Sequence, residues 1–227
     1  MALPPIATAT IQSTVLAAIS NFLAQFFRSY RLDIRIYIDW VPVVQFVILA
    51  LITTPPNFLW QEYLELTYPA REPASKPTSK GEKKTTKPTN SPGDTPLNIR
   101  NTIIKTVLDQ TVGLAVNTIL FALFVNGLAA AMTPLQSETE LLNLRLAGRS
   151  LNYLLSGRAI DYSRVDFKVV LAQSAADFWP IMTSGWSFWP FVSLINFAFV
   201  KSVTHRNLVG GLAGVAWGMY MSGFVDR

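Results

Sequence analysis

The chain has 227 residues, a formal net charge of +5 and a sequence pI near 9.6, yet half its residues are hydrophobic and only 15% are charged. A soluble domain carries about a quarter charged residues, and a mean hydropathy of +0.31 leaves more apolar surface than one water-soluble core would hide. The chain has no cysteine, which excludes disulfides, thiolate catalysis and cysteine-ligated metals.

The charges are clustered. Residues 1–27, 41–61, 111–137, 178–200 and 207–225 carry none, and each stretch is close to the roughly 20 apolar residues that cross a bilayer core. The first span is expected over residues 6–27, mild in hydrophobicity because Gln12, Ser13, Ser20, Asn21 and Gln25 interrupt it. Its first positive charge is Arg28, so neither a basic secretory n-region nor an Arg-rich presequence is present, and any organelle address is expected to be internal. A charged connection follows, and Trp40 stands where an interfacial aromatic belongs.

The second span starts at Val41 and is expected to break or kink at Pro55-Pro56, because proline removes backbone donors. Asn57 is expected to cap a new segment containing Trp60 and Tyr63. Residues 69–97 then change character entirely, to a Pro-, Lys-, Thr- and Ser-rich run. This composition cannot offset its ordering entropy and reads as a disordered linker. Its lysines read first as those of a solvated linker, with contact to anionic lipid or a targeting receptor as the alternative, and no nucleic-acid partner is expected.

The third span, residues 99–132, places Lys105, Asp109, Gly113 and Asn117 every four residues on one helix face, with Gln110 beside them. Intramembrane ionisable groups usually face a cavity or a partner, and Lys105 is expected to pair with Asp109 one turn away. Residues 137–180 read as an amphipathic connection of two parts. The first is a stretch between Leu135 and Ile160, with Leu141, Leu144, Leu151 and Leu154 or Leu155 opposite Arg145, Arg149 and Asn152, that lies in the interface or packs on the bundle's rim. The second is a further amphipathic helix from Asp161 to Trp179. The aromatic cluster Trp179, Trp186 and Trp189 reads as an interface belt leading into a span that begins near Ser187. The last span repeats Gly210, Gly214, Gly218 and Ser222 at four-residue spacing, the pattern that lets helices approach closely in lipid.

The fold expected is therefore all-α: a polytopic bundle of four to five transmembrane helices, with an interfacial amphipathic helix and a disordered basic linker. Its organisation is residues 1–68, the linker 69–97, and residues 98–227. Chemistry in the catalytic sense is not expected. His205 is the only histidine, which leaves little for a triad or a multi-histidine metal site, and no phosphate-binding glycine loop occurs. No metal and no cofactor are expected.

Several local patterns together resemble one family, the peroxisomal membrane protein of twenty-two kilodaltons and its mitochondrial inner-membrane relatives, the Mpv-seventeen group. They are the stretch from Thr54 to Glu65 around Pro55, Trp60 and Leu64, the Lys105-to-Gln110 element, Trp186-Ser187-Phe188-Trp189-Pro190, Asn196-Phe197, Arg206, and the closing Trp217, Tyr220 and Ser222. Lys201 and Gly218 stand where the family usually has proline and asparagine, and Asn57 stands near its histidine. The resemblance implies an organellar multi-pass membrane protein, peroxisomal or mitochondrial, with weak channel or pore activity proposed for some members. The missing presequence features and the basic linker tilt the expectation toward the peroxisomal membrane over the mitochondrial inner membrane. The leading expectation is a small-solute channel or permeability factor whose polar network is Lys105, Asp109, Gln110, Asn117, Asn196 and Arg206; taken singly, each of these residues reads as readily as one that locks helices together by hydrogen bonds. Trp60, Trp186, Trp189 and Trp217 are its expected interface aromatics. The alternative is a membrane scaffold that recruits partners through the linker. Expected partners are the lipid bilayer, other membrane proteins and further copies of the chain.

Overall fold

A computed structural model describes residues 3–33, 35–71, 96–146 and 148–222, with the side chains of residues 144–146 and 218–222 outside that description. Among the described residues the architecture is all-α. Helix α1 (Pro5–Arg31) begins with proline in its first turn, where the missing N–H costs nothing. It ends at Leu32, and Asp33 takes the left-handed conformation, φ 49°, that reverses the chain. Asp39 caps α2 (Trp40–Thr67) by accepting from the Val41 N–H at 3.0 Å. The Gln25 amide grips the Asp39 backbone on both sides, at 2.8 and 2.7 Å, and so ties the end of α1 to the start of α2.

Pro55 and Pro56 do not break α2, which runs for 28 residues through both. A proline costs its own donor, and inside a membrane bundle neighbouring groups absorb the loss. Asn57 is accordingly no cap but a mid-helix residue. The expected linker lies outside the described residues over 72–95. Its flanks meet, since Arg71 and Leu97 form an antiparallel bridge and the Asn98 N–H donates to Ala70 O at 2.8 Å. Helices α3 (Ile99–Leu108) and α4 (Leu114–Ala131) are joined by one π-helical turn, Asp109–Gly113, into a 33-residue helix.

The first part of the amphipathic connection is not one helix. It divides into α5 (Thr139–Leu146) and α6 (Ser150–Leu155). Leu141 is buried and Leu154 partly so, whereas Leu151 and Leu155 are exposed. Leu144 and Arg145 have side chains outside the description. The residue that anchors this end is Tyr153, fully buried, whose hydroxyl donates toward Met132 O and Ala159 O at 3.1 and 2.9 Å. It packs in a cluster with Val41, Met132, Leu141 and Ala159.

After a 3-10 turn (Tyr162–Arg164), α7 (Phe167–Trp186) is capped by Asp166. The span expected to start near Ser187 is instead α8 (Trp189–Phe199), an 11-residue helix opened by Pro190 in its first turn. At about 1.5 Å per residue α8 is too short to cross alone. Side-chain contacts run α7 and α8 antiparallel along α4 and α3: Asn126 meets Ser174, Thr118 meets Met182, and Asp109 meets Ser193. Helix α9 (Val203–Ser222) packs on α1 and α2.

Among the described residues three helices are long and apolar enough to cross a membrane: α1, α2 and the α3–α4 unit. Helices α7 and α9, each of 20 residues, have the length as well but carry Lys168 and Asp177, and His205 and Arg206. The expected count of four to five is reached only when they are included. Large side chains such as Val15, Leu51, Val116 and Phe191 remain exposed on the outer faces, as hydrocarbon permits and water does not.

Candidate functional site

The polar side chains of the spans gather where α2, the π turn, α3, α8 and α9 meet. Glu65, in the last turn of α2, takes both cations on one oxygen. Lys105 Nζ and Arg206 Nη1 each lie 2.6 Å from its Oε2, while Oε1 accepts from the Ala70 N–H at 3.1 Å. Lys105 has no exposed surface and Arg206 2%. Both cations also approach the ring of buried Phe197, at 4.9 and 5.3 Å from its centroid. Arg206 is fixed further by its Nε donating to Val200 O at 2.8 Å and by the Asn196 amide donating to Arg206 O at 3.3 Å. The expected Lys105–Asp109 pair is thus replaced. The helix face was read correctly, but a longer-range carboxylate on α2 captures the ammonium.

Asp109, at the start of the π turn, is held by neutral donors from three elements. Gln61 Nε2 donates to Oδ1 at 2.7 Å, while Ser193 Oγ and Gln110 Nε2 donate to Oδ2 at 2.8 and 3.1 Å. No cation pairs with Asp109 among the described residues. Two turns further along, Asn117 donates to Asn57 Oδ1 at 3.3 Å and Asn57 donates to Asn207 Oδ1 at 3.5 Å, which links α4, α2 and α9. All six expected network residues therefore fall in one region. Gln61, Glu65, Asn57, Ser193 and Asn207 join them.

A groove of about 370 Å³ opens beside this network between α2 and α4, lined by Asn57, Trp60, Tyr63, Gly113, Val116 and Asn117 among others. Trp60 stacks on Tyr63, with centroids 5.9 Å apart, and leans on the π turn. A Cβ on Gly113 would lie 2.7 Å from Trp60 Nε1 and 3.2 Å from Asp109 Oδ1. Glycine is what lets the indole close over the carboxylate. Trp186 is 44% exposed and donates from Nε1 to Gln110 O at 3.0 Å. Trp189 lies against Gly185 and Gly214, and Trp217 stacks on Phe188 at 5.1 Å. All four expected interface aromatics touch protein.

In the glycine repeat, a Cβ on Gly210 would meet nothing within 4 Å and one on Gly214 only Trp189, at 3.8 Å. The close approach is one residue over, at Gly211, where a Cβ would lie 2.7 Å from Leu16 Cδ1 on α1. The side chains of Gly218 and Ser222 lie outside the description. His205 sits in the first turn of α9. Ser202 Oγ accepts from its N–H at 3.2 Å and lies 2.7 Å from its Nδ1, the arrangement of a helix cap. No grouping of three or more His, Cys, Asp or Glu suited to a metal occurs among the described residues.

Residues 163–222 match the model of the Mpv17 / PMP22 family. That match takes in α7 to α9, with Ser193, Asn196 and Arg206, and leaves Lys105, Asp109, Gln110 and Asn117 outside it. Over 218 residues the chain is 27% identical to PXMP2/4 family protein 3 of Dictyostelium discoideum, covering 96% of this chain and 83% of that one. No solved structure matches.

Proposed function

From the premise that this chain is a membrane protein of the Mpv17 / PMP22 family, we propose that it is a multi-pass organellar protein forming a small-solute channel or permeability pathway. The observation that carries this reading is Asp109. Its carboxylate lies within a spanning helix, pairs with no cation among the described residues, and is held by three neutral donors from separate elements. An ionisable group at such depth is costly and ordinarily serves a path for ions or solutes. It also opens a π turn, a rare local geometry that recurs at functional sites. The adjoining groove is lined mainly by apolar and aromatic side chains, with Asn57 and Asn117 as its polar groups, and Trp60 stands between it and Asp109.

The reading includes a non-enzymatic role, with His205 serving the cap of α9, and a place in the peroxisomal membrane before the mitochondrial inner membrane. Planar-bilayer recording with purified protein tests it. Wild-type protein is expected to conduct, and Asp109→Asn to change conductance or ion selectivity. Wild-type bilayers that stay silent, or an Asp109→Asn trace identical to wild type, would remove Asp109 from any path.

A further inference from the structure

A second cavity, of about 500 Å³, lies at the opposite end of the bundle from Glu65, between the α1–α2 turn and the α4–α6 segment. It is lined by Tyr37, Asp39, Thr133, Gly148 and Ser150, with Ile38, Pro134 and Leu142. Its depth in the membrane follows from its neighbours. Trp40 opens α2 directly beside it, and Val41 and Met132 pack together just beneath. Leu32, Ile36 and Tyr37 on the turn are exposed although apolar or aromatic, as suits the head-group region.

Among the described residues, Asp39 is the only charged residue lining the cavity. It cannot retreat, because Gln25 fixes the Asp39 backbone through both its N–H and its carbonyl and the carboxylate caps α2. The wall is equally fixed, since Ser150 is buried and accepts the Trp40 N–H at 3.0 Å. Tyr37 presents an aromatic edge, packed 3.5 Å from where a Cβ on Gly148 would stand. Two exposed cations neighbour the lining residues: the Arg35 guanidinium lies 5.7 Å from the Tyr37 ring centroid, and Arg149 stands between Gly148 and Ser150 in the chain.

Negative inside, with cations on neighbouring residues and open to the head-group layer, this cavity is the complement of a zwitterion. We propose that it binds the head group of a zwitterionic phospholipid, its ammonium on Asp39 and Tyr37 and its phosphate toward Arg35 and Arg149. An anionic head group without an amine would bring its charge against the Asp39 carboxylate. A cation beside an aromatic ring and a carboxylate gains from both. The site is independent of the solute path.

The experiment measures the thermal stability of the full chain in mild detergent, titrated with dioleoyl-phosphatidylethanolamine or, with the same acyl chains, dioleoyl-phosphatidylglycerol. The ethanolamine lipid is expected to stabilise at about tenfold lower concentration, the equivalent of one charge-assisted contact. Asp39→Asn keeps a capping side chain and is expected to abolish that difference. Tyr37→Leu, at a residue 63% exposed, is expected to reduce it without a folding defect and serves if Asp39→Asn does not fold. Equal responses to the two lipids in wild type, or a preference retained in both variants, would overturn the assignment.

Discussion

Lys105 lies fully buried on α3 with its ammonium 2.6 Å from the Glu65 carboxylate on α2, forty positions earlier in the chain. Arg206 shares the same oxygen, so among the described residues Glu65 is the only carboxylate paired with two cations that have almost no access to solvent. Glu65→Gln would leave both unpaired and is expected to cost about 3 kcal/mol, the scale for removing one partner of a buried pair. Lys105→Met leaves Arg206 still paired and is expected to cost less. Unfolding in lipid–detergent micelles measures both, and a Glu65→Gln effect no larger than that of Lys105→Met would show the shared oxygen to be unimportant.

Gly113 admits the Trp60 indole to the π turn. In Gly113→Ala the new methyl would lie 2.7 Å from Trp60 Nε1, and overpacking of this kind costs about 1–3 kcal/mol. Adding Trp60→Phe removes the atom in the way and is expected to recover most of the loss. Additive costs in the double variant would mean that the two residues do not meet.

Helix α9 makes its tight contact with α1 at Gly211, not Gly210. Gly210→Ala is expected to be neutral or slightly stabilising, since alanine gains about 1 kcal/mol of helix propensity over glycine. Gly211→Val should destabilise by about 1–3 kcal/mol, because a branched side chain meets Leu16 and cannot turn away from it. Comparing their unfolding midpoints decides the register, and equal effects would contradict it.

Outside the membrane, Arg164 ties the end of α4 to the start of α7. Its Nη1 donates to Ala131 O at 3.2 Å and its Nη2 to Glu138 Oε1 at 2.9 Å. The Arg164 hydrogen bond, then the Leu135 N–H, hold the Glu138 carboxyl below its usual value. A group depressed in the folded state stabilises fully above its unfolded pKa, about 4.3 for glutamate, and loses that contribution as pH falls through the lower folded value. Hydrogen exchange at the Asp161 N–H, which donates to Ala131 O at 3.0 Å, is therefore expected to gain protection up to the pH where Glu138 ionises in the unfolded chain. In Glu138→Gln this acid-side dependence should flatten. An unchanged pH profile in the variant would assign the protection to something else.

Much of this was legible from residue order. Charge-free stretches marked α1, α2 and the α3–α4 unit because hydrocarbon selects against charge along a whole helix. The four-residue recurrence of Lys105, Asp109, Gly113 and Asn117 placed them on one face. Periodicity gives a face and never the helix opposite it, which is why Glu65, Gln61 and Ser193 were missed. Pro55-Pro56 read as a break or a kink, and α2 runs on through them without a break, where neighbouring helices supply packing. Pro190 carried a usable signal that was passed over: proline in a first turn starts a helix, and it separates α8 from α7. The π turn has no sequence signature in Asp109–Gly113. The glycine repeat pointed to the right helix with the wrong register, since Gly210 and Gly211 differ by about 100° around the axis.

The chain has no cysteine, so a single Asn117→Cys variant carries one thiol, placed in the wall of the groove beside Asp109. Current through planar bilayers should be recorded while a membrane-impermeant thiol reagent is added. We expect the variant to conduct and its current to fall on labelling, while wild type is unaffected. A conducting variant whose thiol stays unlabelled, or whose current is unchanged once labelled, would contradict a solute path along this polar network.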